Sequence, residues 1–237
     1  MSAKVSVVIP VYNRGDIVSA CVRSVLCQSL SDIEVILVDD GSTDDTLAKM
    51  KGLAKEDSRI RLFSLGENLG APAARNLGMD RARGKYLYFF DSDDYLCRSA
   101  LEVLFDEAER RAVPIVRGGY VRHDPSWVHV YENLTEERRV IDSIEDGNAS
   151  RFLGGTWTFL LLRRWLEEKE IRWLDSSVCN DVLFNAQVLA NAGKIALIDR
   201  ILLFRSLRED CITLASWTPH RLSDYLMVRE KTVEILG

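Results

Sequence analysis

The chain has 237 residues, 47% of them hydrophobic and 28% charged, with a formal net charge of −5. This is the balance of an ordinary globular protein. It leaves no basic footprint, so no nucleic-acid partner is expected. No apolar run reaches the roughly 18 residues of a membrane span, and the first strand alternates instead of forming the long apolar core of a signal peptide.

Apolar strands and amphipathic helices alternate through the first half. Val5–Pro10 reads as a strand followed by a helix from Asp16 to Gln28, and Glu34–Asp39 as a strand followed by a helix from Thr43 to Lys55. Ile60–Ser64 is a short strand before a helix over Pro72–Arg81, and Lys85–Phe90 is the fourth strand, before a helix over Ser99–Arg111. In that helix Leu101, Leu104, Phe105 and Ala108 mark one face. Near-continuous apolar strands separated by helices predict an α/β fold with a mostly parallel central sheet covered by helices on both faces.

The second half is less regular. Pro114–Val121 and Trp127–Tyr131 read as strands, while residues 132–155 are polar and without period. Phe159–Lys169 and Val182–Ala192 read as helices, the second stopped by Gly193. Ile195–Ile198 and Ile201–Phe204 are expected as two short strands, and Pro219–Leu236 as a last amphipathic helix. No repeat or linker divides the chain, so one domain over 1–237 is expected.

The chemistry concentrates where Tyr86–Phe90 runs into Asp91-Ser92-Asp93-Asp94. Like charges this close repel unless a cation lies between them, and a divalent metal holding a phosphorylated substrate fits. In an extended segment Asp91 and Asp93 would face one side and Ser92 the other. The five cysteines (Cys21, Cys27, Cys97, Cys179 and Cys211) show no metal-ligand spacing and are expected to be reduced, cytoplasmic thiols. His123, His129 and His220 are too few for a histidine-rich centre, so the ligands should be hard oxygens.

Ligands in open parallel sheets bind at the carboxyl ends of the strands. Pro10-Val11-Tyr12-Asn13, Asp39-Asp40-Gly41-Ser42 and Asp91–Asp94 all sit there and should form one site. Ser42 is expected to cap the next helix, with Asp44 and Asp45 in its first turn. Asp40 precedes that cap and is expected to be free for a ligand donor such as a base imide. Asn68–Asn76 reads equally as a plain loop-to-helix turn or as a helix start from which Arg75 reaches a diphosphate or the nearby acids.

Four segments resemble the family 2 inverting glycosyltransferases with a GT-A fold, the nucleotide-sugar-dependent kind that builds bacterial surface glycans. They are VSVVIPVYN (5–13), EVILVDDGSTDDT (34–46), ENLGAPAARNLGMDRARGKYLYFFDSDD (67–94) and, more weakly, NDVLFNAQVLANAGKIALIDRILLFRSLREDCIT (180–213). The resemblance implies a nucleotide-sugar-binding half over 1–112 and an irregular acceptor-binding half over 113–237 that includes the C-terminal helix. It implies that Pro10, Tyr12 and Asp40 hold the nucleobase, usually uracil, that Asn68 and Arg75 line the nucleotide pocket, and that Asp91 meets the ribose. Asp93 would hold Mn²⁺ or Mg²⁺ at the diphosphate. Asp181 would be the base that deprotonates the acceptor hydroxyl. The family usually carries Glu before that Asp, and this chain has Asn180.

An ordinary helix cap is the competing reading of Asp181. Trp157 reads either as the floor for an acceptor sugar or as a core side chain. Arg205 and Arg208 read as part of a mobile loop over the diphosphate or of a solvated surface loop. The acceptor would be a glycan or a lipid-linked saccharide, and Leu222, Tyr225, Leu226 and Val233 of the final helix read equally as a peripheral membrane contact or as packing on the domain. The alternatives are a sugar-1-phosphate nucleotidyltransferase and a catalytically inactive nucleotide-sugar-binding scaffold. The first usually has a Gly-rich phosphate loop after its first strand, where this chain has Val11-Tyr12-Asn13-Arg14-Gly15.

Overall fold

The computed structural model describes residues 3–124, 127–131, 140–142, 155–206, 216 and 218–236. Gly154, Arg208, Cys211, Ile212 and Thr213 lie outside the described residues. Strand β1 (Val5–Val11) lies between β2 (Ile33–Asp39) and β4 (Tyr86–Phe89), and β2 pairs with β3 (Ile60–Ser64), all in parallel. The sheet continues past β4 through β9 (Phe159–Leu162), β6 (Ile115–Asp124) and β10 (Lys194–Ser206) to β5 (Tyr95–Leu96). Strand β9 is antiparallel to both neighbours, so β6 and β10 again point the same way as β1 and β4. Two more strands, β7 (Trp127–Tyr131) and β8 (Val140–Asp142), flank β6 and β10.

Strand side chains alternate between faces, and here they sort into two cores. Val5, Val7, Ile9, Tyr86, Tyr88 and Phe90 pack on the face covered by α1 (Val18–Leu26), α2 (Thr46–Glu56) and α4 (Ala100–Arg111). Val8, Ile36, Val38, Leu87 and Phe89 pack on the other face, against α3 (Ala71–Arg81), α5 (Arg163–Glu168) and α6 (Asn180–Ala192). Helix α7 (Pro219–Leu236) lies on α6, and Ser177 holds Asp224 of α7 through both its backbone N–H and its hydroxyl. Among the described residues no helix is long and apolar enough to cross a membrane.

The parallel sheet with two helical layers is the expected one. The helix predicted over Phe159–Lys169 is not: its first four residues form β9 and only Arg163–Glu168 is helical. Phe159, Leu160 and Leu161 are each 0% exposed. Consecutive burial marks a strand covered on both faces, and one face of a surface helix does not show it. The two strands expected at 195–204 are one strand, β10, with register shifts around Asp199 and Arg200. Strand β5 spans two residues, too short for any periodicity to reveal.

Leu160 is the central buried position of β9, so Leu160→Ala should lower the unfolding free energy by about 2–5 kcal/mol. Denaturant titration measures this, and a loss below about 1 kcal/mol would contradict the position of β9 in the core.

Candidate active site

Strand β4 ends at Phe89, and the chain turns at once: the Asp94 N–H donates to the Asp91 carbonyl at 3.3 Å. The acidic segment is thus a turn, and the extended alternation expected for Asp91 and Asp93 is absent. The turn gathers more acid than alternation would, because Asp91, Asp93 and Asp94 each offer a carboxylate oxygen within 4.8 Å of the others. Asp94 is buried, and its Oδ1 accepts the Ser206 N–H at 3.1 Å, which draws the end of β10 to the cluster. Its Oδ2 is buried without a hydrogen-bond partner.

Burial raises the pKa of Asp93, as does the neighbouring Asp91 charge, while Arg14 and Arg205 oppose the shift. Asp94 is pushed well up for the same first reason, with Asp91 and Asp93 both adding to it. Two desolvated acids beside a third carboxylate, with an orphaned buried oxygen, form the hard-oxygen donor set that Mg²⁺ or Mn²⁺ takes. Asp94, absent from the expected ligand set, brings its carboxylate within 4.8 Å of the other two.

Arg75 is paired with this cluster. Its Nη2 donates to Asp91 Oδ1 at 2.8 Å and its Nη1 to Asn180 Oδ1 at 3.0 Å. The guanidinium lies 4.4 Å from the centre of the Trp173 ring. Asn180 is the first residue of α6 and Asp181 the second, so the acidic turn and Asp181 stand on the same edge of the sheet. Asp181 Oδ2 accepts the Gly155 N–H at 3.2 Å and its Oδ1 the Val182 N–H at 3.0 Å. The residue at the helix N-cap position is Cys179, in a left-handed conformation with φ 51°, and it makes no side-chain cap. Asp181 is therefore inside the helix start, and one of its oxygens reaches across to a second segment.

The other strand ends form the adjoining wall. Pro10 is buried in β1 opposite Val38, and the Tyr12 ring beyond it is 40% exposed. Asp40, expected to be free, is buried and accepts the Leu69 N–H at 2.8 Å. It thereby fixes the loop that carries Asn68, whose side chain is exposed and accepts the Gly70 N–H at 3.2 Å. Burial raises the Asp40 pKa, and the Leu69 and Gly70 N–H groups counter this. Gly41 makes that closeness feasible: its φ is +71°, and a Cβ there would lie 2.4 Å from the Glu67 carbonyl carbon. Ser42 does not cap α2, which begins at Thr46; its Oγ accepts the Asn13 N–H, and Asp44 accepts the Thr46 N–H. The three strand ends are thus clasped to one another before any ligand arrives.

Trp157 sits in a short 3-10 turn, Thr156–Thr158, with 8% of its surface exposed. The Arg205 guanidinium lies 4.0 Å from the centre of its ring, and Tyr120 packs edge-on. An open stacking floor is not what the structure has at Trp157. Its near face is covered by a cation that also faces the acidic turn. Trp173, a buried side chain, supports Arg75. Neither relation has a local signal, since the partners are brought together by sheet order alone.

The model of the family described as glycosyl transferase family 2 matches residues 6–168. The chain is 31% identical over 202 residues to EpsJ of Bacillus subtilis (strain 168), called an uncharacterized glycosyltransferase, with 82% of this chain and 58% of EpsJ covered. It is 32% identical over 159 residues to the glycosyltransferase GlyG of Streptococcus pneumoniae serotype 4, covering 67% of this chain and 53% of GlyG. The chain thus spans somewhat over half the length of these curated relatives. Among solved structures, S. aureus TarS 1–349 in complex with UDP-GlcNAc aligns with a TM-score of 0.83, covering 98% of this chain and 70% of that one, at 20% identity. The two share a fold. With the family model matched over most of its length and with EpsJ 31% identical across 82% of it, the chain belongs to glycosyl transferase family 2.

Proposed function

We propose that the protein is a metal-dependent, inverting glycosyltransferase. It moves one sugar from a nucleotide-sugar, expected to be a UDP-sugar, to a hydroxyl of a glycan or lipid-linked oligosaccharide. The observation that carries this reading is the single guanidinium shared by Asp91 and Asn180, which joins the acidic turn to the start of the helix bearing Asp181. TarS, which has the same fold, binds UDP-GlcNAc, and this supports the donor class. Family membership favours glycosyl transfer over the nucleotidyltransferase alternative. The reaction is assigned to the cytoplasm on the scattered cysteines. The exposed Leu222, Leu226 and Val233 of α7 support contact with a membrane surface.

In this reading Pro10, Tyr12 and Asn68 line the nucleobase, and Asp40 acts beside them by holding the Asn68 loop. Asp91, oriented by Arg75, meets the ribose. Asp93 with Asp94 holds Mn²⁺ or Mg²⁺, which when bound offsets the charge of the departing nucleoside diphosphate. Asp181 accepts the acceptor hydroxyl proton as that oxygen bonds to the anomeric carbon and the carbon–oxygen bond to the diphosphate breaks. Attack from the face opposite the leaving group inverts the configuration. The Gly155 and Val182 N–H groups fix the rotamer of the Asp181 carboxylate and leave lone pairs for the proton.

Asp181→Asn should keep UDP binding and lose transfer by a factor of order 10² or more, followed as UDP release with acceptor present; a wild-type rate would rule out Asp181 as the base. Asp93→Ala should abolish metal-dependent UDP binding, and unchanged affinity by calorimetry with Mn²⁺ would count against the site.

The raised pKa values of Asp93 and Asp94 supply a further check. Without a cation the cluster holds protons at a pH where free carboxylates do not, and a divalent ion must expel them. Mn²⁺ binding with UDP should therefore release protons and strengthen as pH rises through the raised pKa values. Calorimetry in two buffers of different ionisation enthalpy measures the release, and a buffer-independent heat would contradict it.

A further inference from the structure

We infer that Arg75 and Asn180 are a positioning pair that sets the spacing between the acidic turn and the helix carrying Asp181, and that Arg75 is not a ligand of the diphosphate. This deepens the glycosyl-transfer reading and rests on it.

The side chain of Arg75 is 10% exposed, and both Nη atoms are already engaged, one by Asp91 at 2.8 Å and one by Asn180 at 3.0 Å. The face of the guanidinium lies 4.4 Å from the centre of the Trp173 ring. Trp173 is itself fixed from several sides. It stacks on Phe184 of α6 at 4.3 Å and 12°, and it meets Phe89 of β4 edge-on at 5.1 Å. Asn76, the residue after Arg75, accepts the Trp173 N–H at 3.0 Å and donates to its carbonyl at 2.8 Å. Helix α3, strand β4 and helix α6 therefore converge on one cation, and each contributes a contact that a free side chain reaching for phosphate would lack.

Asn180 suits this role because it is neutral. Its amide oxygen accepts from Arg75 without adding negative charge beside Asp181, and Asp91 is the carboxylate paired with Arg75. The start of α6 is then held on two sides. Arg75 grips Asn180, while Gly155 donates to Asp181 and, one turn later, Thr156 donates to Asn185 at 2.9 Å. The second grip fixes α6 to the 155–158 turn, and the first links its start, through Arg75, to the acidic turn. A lysine could not replace Arg75, because a point charge does not span two acceptors as the planar fork does.

The test compares Asn180→Leu, which keeps the size and removes the acceptor oxygen, with Asn180→Asp, which restores it, and with Arg75→Lys. UDP affinity is read by calorimetry with Mn²⁺, kcat and donor KM by UDP release, and the order of the α6 start by hydrogen exchange at Val182–Asn185. Asn180→Leu should lower kcat roughly 10- to 100-fold, with UDP affinity and donor KM within about threefold of wild type and with faster exchange at the helix start. Arg75→Lys, which also frees Asp91, should show the same fall in kcat and the same faster exchange while weakening UDP and uridine alike, and carries the test if Asn180→Leu does not fold. Asn180→Asp should recover most of the lost kcat.

A tenfold or greater loss of UDP affinity in Asn180→Leu, or a loss of UDP affinity in Arg75→Lys that uridine does not share, would make Arg75 a phosphate ligand and overturn the inference. Unchanged kcat and exchange would overturn it too, as would an Asn180→Asp variant no better than the leucine. If the wild-type protein binds no UDP, the glycosyl-transfer reading fails on its own. The exchange data then still decide whether the pair orders α6.

Discussion

Repulsion among three carboxylates held within 4.8 Å of one another at the end of a buried strand is the constraint to which the surrounding structure responds. Asp91 is neutralised by Arg75 at 2.8 Å. Burial and their neighbours' charges drive the Asp93 and Asp94 carboxyl groups toward the protonated form, with Arg205 opposing at both and Arg14 at Asp93. Such an arrangement costs folding free energy unless a cation relieves it. The cost is local and fixed in place, because Tyr88, Phe89 and Phe90 anchor the turn from beneath at 2% exposure or less. Stored repulsion of this kind makes a site receptive to a divalent ion accompanied by a phosphorylated ligand.

The same cations that temper the cluster bind it to the rest of the edge. Arg75 reaches from α3 to both Asp91 and the first residue of α6, and Arg205 lies between the acidic turn and the Trp157 ring. The side formed by the ends of β1, β2 and β3 is assembled differently, through backbone N–H groups. Asn13 donates to Ser42, Asp40 accepts from Leu69, and Gly41 admits the Glu67 backbone where a side chain would collide. One wall is therefore preformed by hydrogen bonds from backbone N–H groups and the other by ion pairing. Charge is the wall that a ligand can perturb.

Much of this was legible in the sequence, for a physical reason. Strands β1, β2 and β4 are buried on both faces, so their near-continuous apolar runs stand out, and parallel topology alone gathers their carboxyl ends. Those two facts locate Tyr12, Asp40 and the acidic turn. What stayed hidden depends on contacts distant in sequence. Arg75 and Asn180 are separated by 105 positions, and nothing local marks them as partners. Phe159–Leu162 runs directly into Arg163–Glu168, and the joined stretch mimics an amphipathic helix, so β9 was submerged in it. Ser42 has the composition of a helix cap, but α2 starts four residues later and the hydroxyl serves Asn13 instead. Composition identified the polar residues correctly and mistook which neighbours they serve. Asp94 is a further instance: alternation draws attention to Asp91 and Asp93, while the turn brings the third acid inward.

The central claim is that the acidic turn takes a divalent ion together with a nucleoside diphosphate, on the same edge as Asp181. Crystals grown with UDP and Mn²⁺, with diffraction data collected at the manganese absorption edge, test it most directly. An anomalous peak between the Asp93 and Asp94 carboxylates and the diphosphate, with Asp181 facing the sugar side of the same hollow, is the result this account predicts. A bound UDP whose diphosphate lies away from residues 91–94, with no manganese signal at those carboxylates, would contradict it.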